Sequence, residues 1–245
     1  MGVSASAAEN LIKPSFPGFN NLFEFGDPLS HKPFRGKFNS TLNARSVTRG
    51  EISIEQPIKI TWGMGSNIFP DVIYTTSASI IIISNRIVAS FKNSEVTGWR
   101  TYEINLFDKK GSEVSGYSGL VVTGRCDTTD LSKSSVVLFQ YPAMLVPRFK
   151  GTFFPPESWD GSDLFMSRKD EKDNTTSTVY VTKKVKEIFE DLKVENVIFE
   201  KLEDIEIDLS VFRIALNYKL PSDYKEKVLE AYQKAGEDIP HNLKL

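Results

Sequence analysis

The sequence predicts an α+β protein built on a mixed β-sheet, and three observations carry that prediction. Short alternating or β-branched segments recur between Ile52 and Tyr141 and have the pattern of strands. Two segments with one apolar helical face, Asn85 to Ser94 and Lys183 to Leu192, each follow such a strand directly. A packing helix over Asp223 to Lys234 comes near the end, with Pro221-Ser222 before it and Gly236 placed to stop it.

The chain has 245 residues, 40% hydrophobic and 25% charged, which suffices to bury a core without disulfides or metal staples. Its pattern divides it into a Phe-rich extended lead-in over 1–50, a sheet-rich first half over 51–150 and a second half over 151–245. Six phenylalanines of the lead-in (Phe16, Phe19, Phe23, Phe25, Phe34 and Phe38) are expected to pin it across the body. Net charge is only −2, so no overall pull toward nucleic acid or anionic membrane exists. Residues 1–125 nevertheless carry 13 basic and 10 acidic side chains, against 17 and 22 in the remainder.

Alternation begins at Ile52, Ile54, Ile58, Ile60 and Trp62, which predicts one bent strand or two short ones broken at Pro57. Val72 to Tyr74 and Ser79 to Ile83 follow as strands, the second with a continuous β-branched run over Ile80 to Ile83 like a buried one. Ser84 is positioned to cap the helix in which Ile87 and Phe91 share a face. Arg100 to Phe107, Gly119 to Thr123 and Ser135 to Tyr141 complete the strand candidates of this half.

Displacing the sequence by 98 residues lays Ile81 to Ile104 over Val179 to Leu202 without a gap. Few residues are identical, but their physical roles coincide. Ile81 and Ile83 match Val179 and Val181 as strand, and Ser84 matches Thr182 as cap. Ile87 and Phe91 match Val185 and Phe189 on the helix face, and Val96 matches Val194 at the following turn. Upstream, Asp71-Val72-Ile73-Tyr74 resembles Asp163-Leu164-Phe165-Met166. The pattern predicts a duplicated strand-helix-strand unit whose two strands run parallel in one sheet.

Little catalytic chemistry is available. The two histidines, His31 and His241, sit in a Pro-rich loop and near the chain end, and neither suits a catalytic triad. Cys126 is single, so it forms no internal disulfide, and its expected role is that of a small buried hydrophobe. No phosphate-binding, dinucleotide-binding or metal motif occurs, and no cofactor or metal is expected. The longest apolar run, Ala78 to Ile83 interrupted only by Ser79, is far shorter than the roughly 20 residues that a bilayer span requires, so no membrane is expected.

Three features remain as candidate sites. Asp160 and Asp163, in Trp159-Asp160-Gly161-Ser162-Asp163, could act as a hydrolase-type carboxylate pair, or could brace a tight turn anchored by Trp159. Glu203, Asp204, Glu206 and Asp208 alternate with Leu202, Ile205 and Ile207, which would put the last three acids on one strand face as a strip for a basic partner. Lys32, Arg35, Lys37, Arg45 and Arg49 have no acid among them between His31 and Arg49, but lack the stacking aromatics of a nucleic-acid module.

The Trp159 to Phe165 string, followed after a polar spacer by Val179-Tyr180-Val181-Thr182-Lys183-Lys184-Val185-Lys186-Glu187-Ile188-Phe189, resembles bacterial immunity-type proteins found beside polymorphic toxins. The resemblance spans about residues 150–202, and more loosely Gly116 to Lys133. It implies a small α+β protein of the cytoplasm that neutralises a cognate toxin by direct protein–protein contact, without turnover of its own. It transfers no binding residues, so the acidic strip over 203–208 is the expected contact.

Overall fold

Two strand-helix-strand units occupy the centre of the molecule, and the elements around them cover their outer faces. The computed structural model describes residues 14–29, 32–76, 79–142, 144–169, 178–208 and 221–239. His31 and His241 lie outside the described residues. In chain order the first strands are β1 (Leu22–Gly26), β2 (Arg35–Asn39), β3 (Ile58–Met64), β4 (Val72–Tyr74), β5 (Ile81–Ser84), β6 (Trp99–Tyr102), β7 (Ile104–Phe107) and β8 (Glu113–Val114). There follow β9 (Tyr117–Val122), β10 (Gly124–Cys126), β11 (Ser135–Tyr141), β12 (Met144–Lys150), β13 (Leu164–Ser167), β14 (Val179–Thr182), β15 (Ile198–Lys201) and β16 (Glu206–Asp208). The helices are α1 (Ala44–Thr48), α2 (Asn85–Asn93), α3 (Lys183–Asp191) and α4 (Tyr224–Ala235).

The first unit forms a four-stranded sheet of order β4-β5-β9-β6, and the second lies in a five-stranded sheet of order β10-β13-β14-β1-β15. In each, the strands on either side of the helix are both antiparallel to one strand inserted between them, so they run parallel to each other. Register repeats as well as order. Ile83 faces Val72 where Val181 faces Leu164, and Ile82 faces Ile73 where Tyr180 faces Phe165. The helices end alike: Glu95 and Lys193 both adopt left-handed backbone, at φ 50° and 53°. Val96 N then donates to Phe91 O, and Val194 N to Phe189 O, so both turns close the last carbonyls of their helices.

The two units share one core. Phe91 and Phe189 meet with ring centroids 5.8 Å apart, and Ile81, Ile83, Ile87, Val179, Val181 and Val185 are buried around them. Each unit also ties the turn before its last strand to the first strand of the other. Leu164 N donates to Thr97 O at 3.1 Å, and Asn196 Nδ2 to Val72 O at 2.8 Å.

The outer face of the four-stranded sheet (Ile73, Ile82, Tyr102 and Val121) packs under a second four-stranded sheet of order β2-β3-β7-β8 through Phe34, Ile58, Ile60 and Leu106. That of the five-stranded sheet (Leu22, Phe165 and Tyr180) is covered by Phe154, Trp159, Phe16 and Phe19. The remaining sheet, β11-β12-β16, packs Phe149 against Tyr224, Val228 and Tyr232 of α4.

Local differences from the sequence reading are physical. The lead-in packs on the body through Phe16, Phe19, Phe34 and Phe38, whereas Phe23 and Phe25 belong to an interior strand, which sequence periodicity misses because β1 is only five residues long. Ile52 and Ile54 pack on the core without forming strand, which begins only at Ile58 after Pro57. Ser84 and Thr182 occupy the N-cap positions, but their hydroxyls turn away from the helix ends toward Asp71 and Asp163.

Where the units meet, a Cβ added at Gly98 would lie 2.1 Å from Leu164 O, at a φ of +81°. Gly98→Ala is expected to cost about 3 kcal/mol or more, combining backbone strain with a clash that no flexible side chain can relieve. Gly111→Ala, at φ +83° with nothing within 4 Å, should cost only about 1 kcal/mol. Urea midpoints of the two variants give the comparison.

Candidate functional site

The carboxylates of the Trp159 to Asp163 string serve as structural braces. Gly161 turns the chain at φ +92°, and Asp160 Oδ1 accepts from Ser162 N at 3.0 Å. Asp160 Oδ2 accepts from Arg125 N at 2.7 Å, which fixes the string beside β10. Trp159, buried at 3% exposure, donates Nε1 to Ser162 O and packs edge-on to Phe165 and Phe16.

Asp163 joins both units at once. Its Oδ1 accepts from Thr182 Oγ1 at 2.9 Å, while Oδ2 accepts from Thr97 N, Thr97 Oγ1 and Lys184 Nζ at 3.0 to 3.2 Å. Asp71 takes the corresponding place in the first unit, bound by Ser84 Oγ at 2.6 Å and by the guanidinium of Arg86. That guanidinium, with help from Ser84, holds the Asp71 carboxyl below the usual carboxylate range. All four oxygens of Asp160 and Asp163 therefore accept hydrogen bonds that hold the fold.

The acidic segment divides. Leu202 and Ile205 are buried, Asp204 lies in a turn, and only Glu206 to Asp208 form strand, paired with β12. Expected alternation from 202 onward stops short because Leu202 and Ile205 both enter the aromatic cluster around Trp159. Lys150 Nζ lies 3.3 Å from Asp204, and Arg148 Nη1 lies 3.6 Å from Glu206. Asp208 is directly opposite Arg148 across the ladder, and Glu203 precedes the strand in the same turn as Asp204.

β11 brings apolar groups that the sequence reading left out of the strip. Cross-strand register puts Val137 opposite Arg148 and Phe139 opposite Val146, on the same sheet face as Glu206 and Asp208. The Arg148 guanidinium lies 3.5 Å from the centre of the Phe139 ring, and Phe139 itself is 36% exposed. The signal lay in the alternation of Val137 and Phe139, but which face they shared with the acids depended on pairing.

The basic segment is not one continuous surface. Arg35 pairs with Asp27 through both carboxylate oxygens, and Arg49 is buried, with Nε on Glu51 and Nη1 on Ser167 O. Cys126 is fully buried, and burial pushes its thiol up to about 12. Among the described residues no group of His, Cys, Asp and Glu could hold a metal ion, and no helix is long and apolar enough to cross a membrane. Set against known protein families and curated proteins, the chain matches none.

One strongly perturbed carboxyl is a residue that the sequence did not single out. Glu24, central in β1, stands opposite Tyr180 of β14 on one side and Glu200 of β15 on the other. Burial, then repulsion from Glu200, pushes its carboxyl up to about 7. A raised folded-state value means that stability is fullest below the unfolded value near 4.5, and is lost as pH rises through about 7. Glu24→Gln is therefore expected to leave stability at pH 4 nearly unchanged and to raise it at pH 8 by about 2 to 3 kcal/mol. Denaturant titrations at the two pH values measure both.

Proposed function

We propose that this is a non-catalytic binding protein of the immunity type, which neutralises a cognate bacterial toxin in the cytoplasm by direct contact. The observation that carries the reading is how the carboxylates are divided. Those of the Trp159 to Asp163 string hold the two central units together, whereas Asp204 and Glu206 remain 54% and 37% exposed at the edge of the β11-β12-β16 sheet. Surface ion pairs such as Lys150 with Asp204 contribute about 1 kcal/mol or less, so a basic partner can exchange them for its own cations. Phe139 and Val137 beside the acids supply an apolar centre of the sort on which interface energy concentrates.

The contact is thus inferred to comprise Glu203, Asp204, Glu206 and Asp208 with the neighbouring residues of β11. The repeated register, the paired left-handed helix ends and the two braces, Asp71 with Ser84 and Asp163 with Thr182, support the further inference that the two units are copies of one ancestral segment.

Co-expression with the product of the adjacent reading frame tests the function: rescue of growth together with co-purification is the expected result. Asp204→Lys with Glu206→Lys should weaken that complex at least tenfold, about 1.4 kcal/mol, and flatten its salt dependence. Unchanged affinity, measured by calorimetry on folded variant protein, would remove the acidic strip from the contact.

A further inference from the structure

The two central units are completed in different ways. In the first, the strand between β5 and β6 is β9, which begins fifteen residues after β6 ends and so is supplied locally. In the second, the place between β14 and β15 is taken by β1, from the opposite end of the chain. Both inserted strands sit in the same register. Tyr117 faces Ser84 where Leu22 faces Thr182, and Gly119 faces Ile82 and Tyr102 where Glu24 faces Tyr180 and Glu200.

The inserted β1 is held by side chains that any copy of it would offer. Phe23 and Phe25 enter the shared core, and Phe16 and Phe19 ahead of it enter the cluster formed by Phe153, Phe154 and Trp159. Two features oppose its seating. Glu24 is set against Glu200 in the middle of the strand, and Leu29, just beyond the strand, is 71% exposed with left-handed backbone at φ 54°.

We propose that β1 is an exchangeable strand, and that two copies of this chain can form an intertwined dimer in which each copy's β1 completes the other's second unit. Every contact of β1 with β14 and β15 is remade between copies, so exchange costs little beyond association itself. The left-handed backbone at Leu29 can relax on exchange. Ionisation of Glu24, which faces Tyr180 from β14 and Glu200 from β15, loosens the strand and speeds its release. The inference is independent of the toxin-binding reading, because it concerns the central sheet and not the β11-β12-β16 face.

The test uses full-length chains in which Cys126→Ser removes the native thiol and which carry Glu24→Cys or Glu200→Cys, mixed, taken to partial unfolding in urea and returned to native buffer at high concentration. A covalent heterodimer of twice the chain mass is expected after mild oxidation, because neither variant can form the 24–200 disulfide within itself. The double variant, Glu24→Cys with Glu200→Cys, serves as the geometric control. If it closes its disulfide within one chain while the mixture yields only monomer, the proposal is overturned. If the double variant does not close, capture of untagged wild-type chain by a tagged copy after the same cycle decides, and no capture overturns it. For wild-type protein, exchange should be about tenfold faster at pH 8 than at pH 5, and Glu24→Gln should abolish the difference; exchange independent of pH would overturn the role given to Glu24.

Discussion

Packing of Phe91 against Phe189 is the contact on which the rest of the structure depends. The helices that carry them, α2 and α3, have nine residues each, too few to persist in water by helix propensity alone. Each presents an apolar face that its own sheet covers only in part. Bringing the two faces together buries Ile87, Phe91, Val185 and Phe189 in one core. The polar detail at the seam follows from this packing. Gly98 and Gly124 must lack side chains because Leu164 O lies against both, and Asp163 must accept from both units because it sits where they touch.

Much of this centre was legible in the sequence, because its signals are local. Strand, helix face and turn of each unit follow one another within short stretches of chain. The role of Asp163 was half legible: its turn was foreseen, but its bonds to Thr97 and Lys184 join residues far apart in the chain. β1 was not legible as an interior strand. Two phenylalanines in a five-residue strand give too short a period, and the partners that specify it lie more than 150 residues away. The strip over 203–208 was partly legible, since alternation correctly separated Glu206 from Ile207 but could not show that Leu202 and Ile205 follow the demands of the Trp159 cluster.

Conserving a seam consumes polar side chains that would otherwise be available for chemistry. Asp71, Asp160 and Asp163 all accept hydrogen bonds that hold strands or turns in place. Under the binding role proposed above, recognition falls to elements outside the two units. The β11-β12-β16 sheet is such an element: α4 covers one face, and the other carries Phe139 beside alternating charge. Changes on that face need not disturb the central core, because its contacts with the units run through residues such as Ile207 on the opposite side.

The unequal completion of the two units bears on how the fold forms. β9 reaches its place after a short connection, whereas β1 must find β14 and β15 across most of the chain, at a larger cost in loop closure. The cross-strand neighbours reflect the same inequality. In the first unit the Tyr102 ring lies directly over Gly119, an arrangement that rejects any larger residue at that position. In the second unit the equivalent pair is Glu200 and Glu24, two acids that repel when both are charged. The two units thus differ at one equivalent cross-strand position, a ring packed over a glycine in the first and two facing acids in the second.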